Sequence, residues 1–116
     1  MKTTTQRILL HMADDTRVPV DPADVYLLEA EGNETRIRTR AAEIRLDVRE
    51  LGELEELFTA QGFIRIHRSF IVSQNRIRLI RPRPSDGWEV KLDPPVNRIL
   101  PVSRDRTKQL WETFGE

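Results

Sequence analysis

The run Phe63-Ile64-Arg65-Ile66-His67-Arg68-Ser69-Phe70-Ile71-Val72-Ser73-Gln74-Asn75 sets an imidazole, a guanidinium and a hydroxyl in succession among β-branched and aromatic residues. Folding alone calls for apolar residues or turn-formers at such a place. His67, Arg68 and Ser69 carry hydrogen-bonding groups that reach phosphate oxygens and base edges, so the cluster points to a surface that touches an anion. His67 beside Ser69 also invites a nucleophile–base reading, but no orienting acid accompanies the pair. His11 is the other histidine of the chain, and neither histidine has the spacing to carboxylates that a metal site needs. There is no glycine-rich phosphate loop and no dinucleotide fingerprint. No catalytic residue, metal or cofactor is therefore expected, and the chain is not read as an enzyme.

Charge supports an anionic partner only when it is read locally. The 116 residues carry 19 bases and 19 acids, a formal net charge of zero. Residues 1–35 hold seven acids against three bases, and Glu50, Glu53, Glu55 and Glu56 form a purely acidic block. From Leu57 to Ser85 there is no acid, while Arg65, Arg68, Arg76, Arg78, Arg81 and Arg83 all fall there. A second basic stretch runs through Arg36, Arg38, Arg40, Arg45 and Arg49. Because screening confines charge interactions to about 8 Å at physiological salt, this segregation matters more than the sum. Sixteen of the nineteen bases are arginine, whose planar fork suits phosphate and guanine edges.

The elements that position these groups read mainly as short strands. The length fits one domain with its own core. Gln6–Met12 is a first strand or a short helix. Arg17–Val20 is an edge piece marked by Pro19. Asp21-Pro22 starts a single helical turn, with Asp21 as its N-cap. Val25–Ala30 is a buried strand, Glu31-Gly32-Asn33-Glu34 a tight turn, and Thr35–Arg40 alternates with three arginines on one face. In Glu43–Val48 the alternation points Ile44, Leu46 and Val48 inward. One amphipathic helix spans about Arg49–Gln61, with Leu51, Leu54, Leu57 and Phe58 at helical spacing and Gly62 as its stop. Ile77–Ile80, an 82–87 loop, Trp88–Leu92 and Arg98–Val102 are further strands. Ser103 opens a terminal helix striped by Leu110, Trp111 and Phe114. Aromatic side chains at apolar positions read as core, which argues against single-strand binding. No apolar run approaches the ~20 residues of a membrane span. There is no signal-peptide core and no cysteine, so a cytoplasmic location is the default expectation.

The order of these features resembles one family. A strand ending Leu27-Leu28-Glu29-Ala30-Glu31-Gly32-Asn33 precedes a polar hairpin and a Leu- and Glu-rich helix. The Arg65–Val72 run and Ile77 with a hairpin follow, and Leu100-Pro101-Val102-Ser103-Arg104 leads into the last helix. From about Gln6 to Phe114 the chain is similar to the LytTR-type DNA-binding domain of bacterial transcription regulators. The resemblance implies a mainly β, elongated domain of about ten short strands in small antiparallel sheets with one or two short helices. It also implies sequence-specific binding of double-stranded DNA through loops that enter successive grooves. Carried onto this sequence, base contacts fall on Asn33, Thr35, Arg68 and Arg104, and backbone contacts on Arg36, Arg65, Ser69 and Ser103. Association as a homodimer, or side by side on direct-repeat sites, is a further implication. Ser73 stands where the family usually has Asn, the net charge is lower than the family leads one to expect, and residues 1–116 leave no room for a receiver domain. The alternative reading is a protein-interaction module, or an antagonist of another regulator, that kept the fold without DNA binding.

Overall fold

A computed structural model describes residues 6–40 and 44–116. Along these residues run β1 (Ile8–His11), β2 (Arg17–Val20), a 3-10 turn (Pro22–Asp24), β3 (Val25–Glu31), β4 (Glu34–Thr39), β5 (Ile44–Asp47) and α1 (Leu51–Thr59). Then come β6 (Phe63–His67), β7 (Phe70–Ser73), a second 3-10 turn (Gln74–Arg76), β8 (Ile77–Pro82), β9 (Trp88–Leu92), β10 (Ile99–Val102) and α2 (Arg104–Thr113). Ten strands in small antiparallel sheets with two helices is the class the sequence implied, and the ambiguous first segment is a strand. The sheets are β1-β2, β5-β4-β3-β7-β6 and β10-β9-β8. The principal extents, 42 × 41 × 25 Å, make a flattened slab.

Local chemistry sets the element ends. Asp21 Oδ1 accepts the Ala23 N–H at 2.9 Å, and Pro22 supplies a pre-set φ at the first position of the 3-10 turn. Glu50 and Glu53 cap α1 reciprocally, the Glu50 N–H donating to Glu53 Oε1 at 3.0 Å. Gly62, at φ +87°, turns the chain out of α1 into β6.

The five-stranded sheet is the middle layer. Successive residues of β7 and β6 alternate between two cores: Ile71 and Phe63 join one, Val72 and Ile64 the other. The first core is closed by Leu51, Leu54 and Phe58 of α1 with Ile8 and Leu10 of β1. The second is closed by Val90, Leu92, Leu100 and Val102 of the three-stranded sheet with Leu110 of α2. A register slip between Val25 and Leu27 delivers both Tyr26 and Leu27 to the second core, which is why Val25–Leu28 is buried throughout.

Three expectations about facing are overturned. In β5 the buried residue is Asp47, while Leu46 and Val48 are exposed; the Ile44 side chain and Glu43 lie outside the described residues. The Asp47 carboxylate is drawn inward by donors: it accepts from His11 N (2.9 Å), Arg49 N (2.9 Å), Arg49 Nε (3.0 Å) and Arg49 Nη2 (2.9 Å). Leu57 of α1 is exposed because the core side of that turn is already filled by Leu54 and Phe58. Phe114 is exposed past the end of α2, whereas Trp111 packs edge-to-face on Trp88 at 4.9 Å.

Candidate nucleic-acid interface

Strand pairing brings three sequence-distant turns to one end of the slab. β3 and β7 run antiparallel with Glu29 opposite Phe70, and the Ala30 N–H donates to Ser69 O at 2.9 Å. The β3–β4 turn at Gly32-Asn33 and the β6–β7 turn at Arg68-Ser69 are therefore neighbours. The β10–α2 junction joins them where the Ser103 N–H donates to Ile66 O at 2.9 Å, at the bulge between Arg65 and His67 in the β6–β7 pair. A fourth loop arrives with Trp88 opposite Val102: Asp86, in the β8–β9 loop, accepts a hydrogen bond from Arg104 Nη2 at 2.5 Å.

The residues singled out by the sequence take different positions here. Asn33 lies exposed at the tip of its turn, where Gly32 adopts φ +60°. Arg68 is exposed and has no side-chain partner among the described residues. Arg104 is 86% exposed and, among the described residues, tethered only to Asp86. Arg36 is half-buried and pairs with Glu31 of its own hairpin at 3.1 Å. Ser69 sits beside Arg68 on the turn. Ser103 is the N-cap residue of α2, its Oγ donating to Ile66 O at 3.4 Å.

Two of the singled-out side chains are engaged within the fold. Thr35 is fully buried, and its hydroxyl donates to Arg49 O at 2.8 Å, so in this fold it cannot meet a base edge. Its position on the inward face of β4, opposite the arginines, fixes that outcome. Arg65 is not a free cation. Its Nη1 donates to Glu55 Oε1 (2.6 Å), Nη2 to Arg68 O (2.6 Å) and Nε to His67 O (3.3 Å), and only 16% of the side chain is exposed. It braces the turn from behind.

His67 gains a role that the sequence did not assign. Its Nδ1 accepts the Ser69 N–H at 3.0 Å, which puts the ring proton on Nε2 in the neutral form. Its ring also packs on Phe70 at 5.4 Å. Burial is the main reason its pKa lies below the ordinary 6.5; Arg68, Arg106, Arg65 and Arg83 add to the effect by disfavouring an imidazolium. The folded chain thus keeps His67 neutral where the unfolded chain has already taken up a proton. Stability falls as pH drops below about 6.5 and recovers as pH rises. Denaturation midpoints taken from about pH 7.5 to about pH 5.5 check this: the wild-type midpoint falls, and that of His67→Gln falls less.

The same four arginines reveal two residues that were missed. Arg106 in the first turn of α2 and Arg83 in the β8–β9 loop have no ion-pair partner among the described residues. Arg106 lines a shallow cleft of about 350 Å³ with His67, Arg68, Ser103 and Asp105. Arg83 was visible as a member of the acid-free run; Arg106 was signalled only by lying two residues beyond Arg104. Other cations of the basic stretches are structural. Arg76 lies over the Tyr26 ring at 4.7 Å and donates to Ala23 O, and Arg81 pairs with Glu89 at 2.7 Å. Larger clefts, one lined by Val18, Pro19, Arg40 and Pro95 and one between β1 and α1, do not include these turns. Among the described residues no group of three or more His, Cys, Asp or Glu side chains could hold a metal ion, and no helix is long and apolar enough to cross a membrane.

Known proteins share this arrangement. The family model described as the LytTr DNA-binding domain matches residues 15–115. The chain is 34% identical over 91 residues to the CO-responsive transcriptional regulator RcoM of Rhodospirillum rubrum, a match covering 78% of this chain and 38% of that protein. It is 27% identical over 101 residues to the sensory transduction protein LytT of Oceanobacillus iheyensis (87% and 41%). It is 29% identical over 107 residues to the transcriptional regulatory protein YpdB of Escherichia coli K12 (91% and 43%). The chain thus spans about two fifths of the length of these curated relatives. Among solved structures, a LytTr DNA-binding domain from Bacillus cereus matches with a TM-score of 0.78 at 26% identity, covering 97% of this chain and all of that one.

Proposed function

This chain belongs to the LytTr DNA-binding domain family, and from that premise we propose that it is a single sequence-reading module of a bacterial transcription regulator. The end formed by the 32–33, 68–69 and 103–104 turns enters successive grooves of duplex DNA. Asn33, Arg68 and Arg104 read base edges; Arg36, Ser69, Ser103, Arg83 and Arg106 hold the phosphate backbone. The observation that supports this reading is the convergence of three turns at one end, with Arg68 exposed on one of them and without a side-chain partner among the described residues. Two copies side by side on a direct-repeat site would extend the contacted length.

A second reading has one observation in its favour. Glu31 and Asp86 pair with Arg36 and Arg104, so part of the arginine surface is neutralised, as an interaction module without DNA binding would allow. Magnitude decides between the readings. Exposed ion pairs are worth only about 0–1 kcal/mol, whereas a bidentate base contact supplies about 1–3 kcal/mol. A phosphate or guanine edge therefore displaces either acid at small cost.

Arg106→Ala separates positioning from reading. As a backbone contact, Arg106 makes its variant bind all duplexes more weakly, with a salt slope reduced by about one and base preference unchanged. Fluorescence titrations of a selected duplex and a mixed-sequence duplex over a salt series measure both quantities. Equal slopes for variant and wild type remove Arg106 from the interface.

A further inference from the structure

The acidic block of the sequence has no part in the DNA contacts proposed above, yet one of its members reaches the recognition turn. Glu55 of α1 accepts from Arg65 Nη1 at 2.6 Å, and the other two directions of the same guanidinium end on His67 O (3.3 Å) and Arg68 O (2.6 Å). The first is a carbonyl of the last pair of the β6–β7 ladder, His67 opposite Phe70, and the second belongs to the turn just beyond it. Holding the Arg68 carbonyl fixes the peptide plane that follows Arg68, and with it the direction in which its side chain leaves the turn. A planar guanidinium makes three such bonds without flexing; an ammonium on a flexible stem offers no equivalent fork. The Arg65 side chain is largely covered, 16% exposed, and Glu55 is 34% exposed.

We infer that Glu55 and Arg65 are positioning residues for base readout, and that α1 is the anchor from which the Arg68 turn is aimed. The inference rests on the proposed DNA-reading role of Arg68. The helix read from sequence as a scaffold is then a specificity element: a shift of α1 along its axis is transmitted by one ion pair to the groove-entering turn.

Glu55→Ala tests this without threatening the fold, because alanine is the strongest helix former and the position is not in the core. Two measurements are made on the whole chain. In the free protein, amide hydrogen exchange at Ser69, whose N–H is held by His67, accelerates about tenfold in Glu55→Ala, the factor corresponding to one charge-assisted hydrogen bond. On DNA, discrimination between the duplex selected by wild type and a mixed-sequence duplex falls by a similar factor, about tenfold, while mixed-sequence affinity and salt slope stay at wild-type values. Arg65→Lys repeats both losses, and Glu55→Gln, which keeps the acceptor, restores part of each. Unchanged Ser69 exchange and unchanged discrimination overturn the proposal. So does a salt slope lowered by about one in Arg65→Ala, which makes Arg65 a phosphate contact. If wild type selects no duplex, the DNA reading fails on its own account and takes the aiming role with it, while accelerated exchange shows that the strut is still made.

Discussion

Arg68→Ala loses about 1–3 kcal/mol of discrimination between its preferred duplex and one altered at the base it reads, roughly a factor of 10 to 100. Its melting temperature stays at the wild-type value. Both parts follow from where Arg68 sits. Its side chain is exposed and supports nothing in the fold, so truncation leaves no cavity and no orphaned partner. Its backbone is held on two sides, by Arg65 at its carbonyl and through the neighbouring Ser69 N–H at His67. The backbone of the turn therefore does not have to be ordered upon binding, which limits the entropy that base contact must offset. Competition titrations with single-base variants of the duplex separate this result from a phosphate role, since a lost phosphate contact weakens every duplex alike.

Asp47→Ala acts on the fold instead. The Asp47 side chain is fully buried and ties β5 to β1 through His11 N and to Arg49 through three bonds. Arg49, 18% exposed, in turn donates to Leu9 O, and its carbonyl accepts the Thr35 hydroxyl. Removing the carboxylate strands a largely buried guanidinium and two backbone N–H groups, at a cost of about 3 kcal/mol or more. In a domain of this size that is a fall in melting temperature of roughly 10–15 °C. Burial alone would push the Asp47 carboxyl up, but the Arg49 side chain and the two backbone donors outweigh it and hold the group below its ordinary 3.8. The stability it contributes is therefore complete above about pH 3.8 and is lost as pH falls through the lower folded value. Urea midpoints across that window show wild type losing its advantage over Asp47→Asn as the solution is acidified.

What was legible in the sequence was what short-range chemistry decides. Gly32-Asn33 made a turn, Asp21-Pro22 a capped 3-10 turn, Gly62 ended a helix, and the Thr35–Arg40 alternation set three arginines on one face, opposite Thr35, Ile37 and Thr39, which the fold buries. The family-based assignment of Thr35 to a base edge did not weigh that alternation, and the burial of Thr35 stands against it. The inward turn of Asp47 was hidden because its donors come partly from His11, 36 positions away, and a polar residue in an alternating strand reads as solvent-facing. Arg65 and Arg68 are the same residue type three positions apart; only the packing of Glu55 against β6 turns one back and leaves the other free. Arg83 and Arg106 join the site through the Val102–Trp88 pairing and the Ser103–Ile66 bond, neither of which leaves a local trace.

Selection of randomised duplexes by the whole chain, carried out at low and at physiological salt beside Arg68→Ala, tests the central claim most directly. The predicted result is one enriched motif for wild type at both salt concentrations, bound more weakly as salt rises, and the loss of preference at one or two of its positions in Arg68→Ala. No enriched motif for wild type at either salt, or an identical motif for Arg68→Ala, would contradict it.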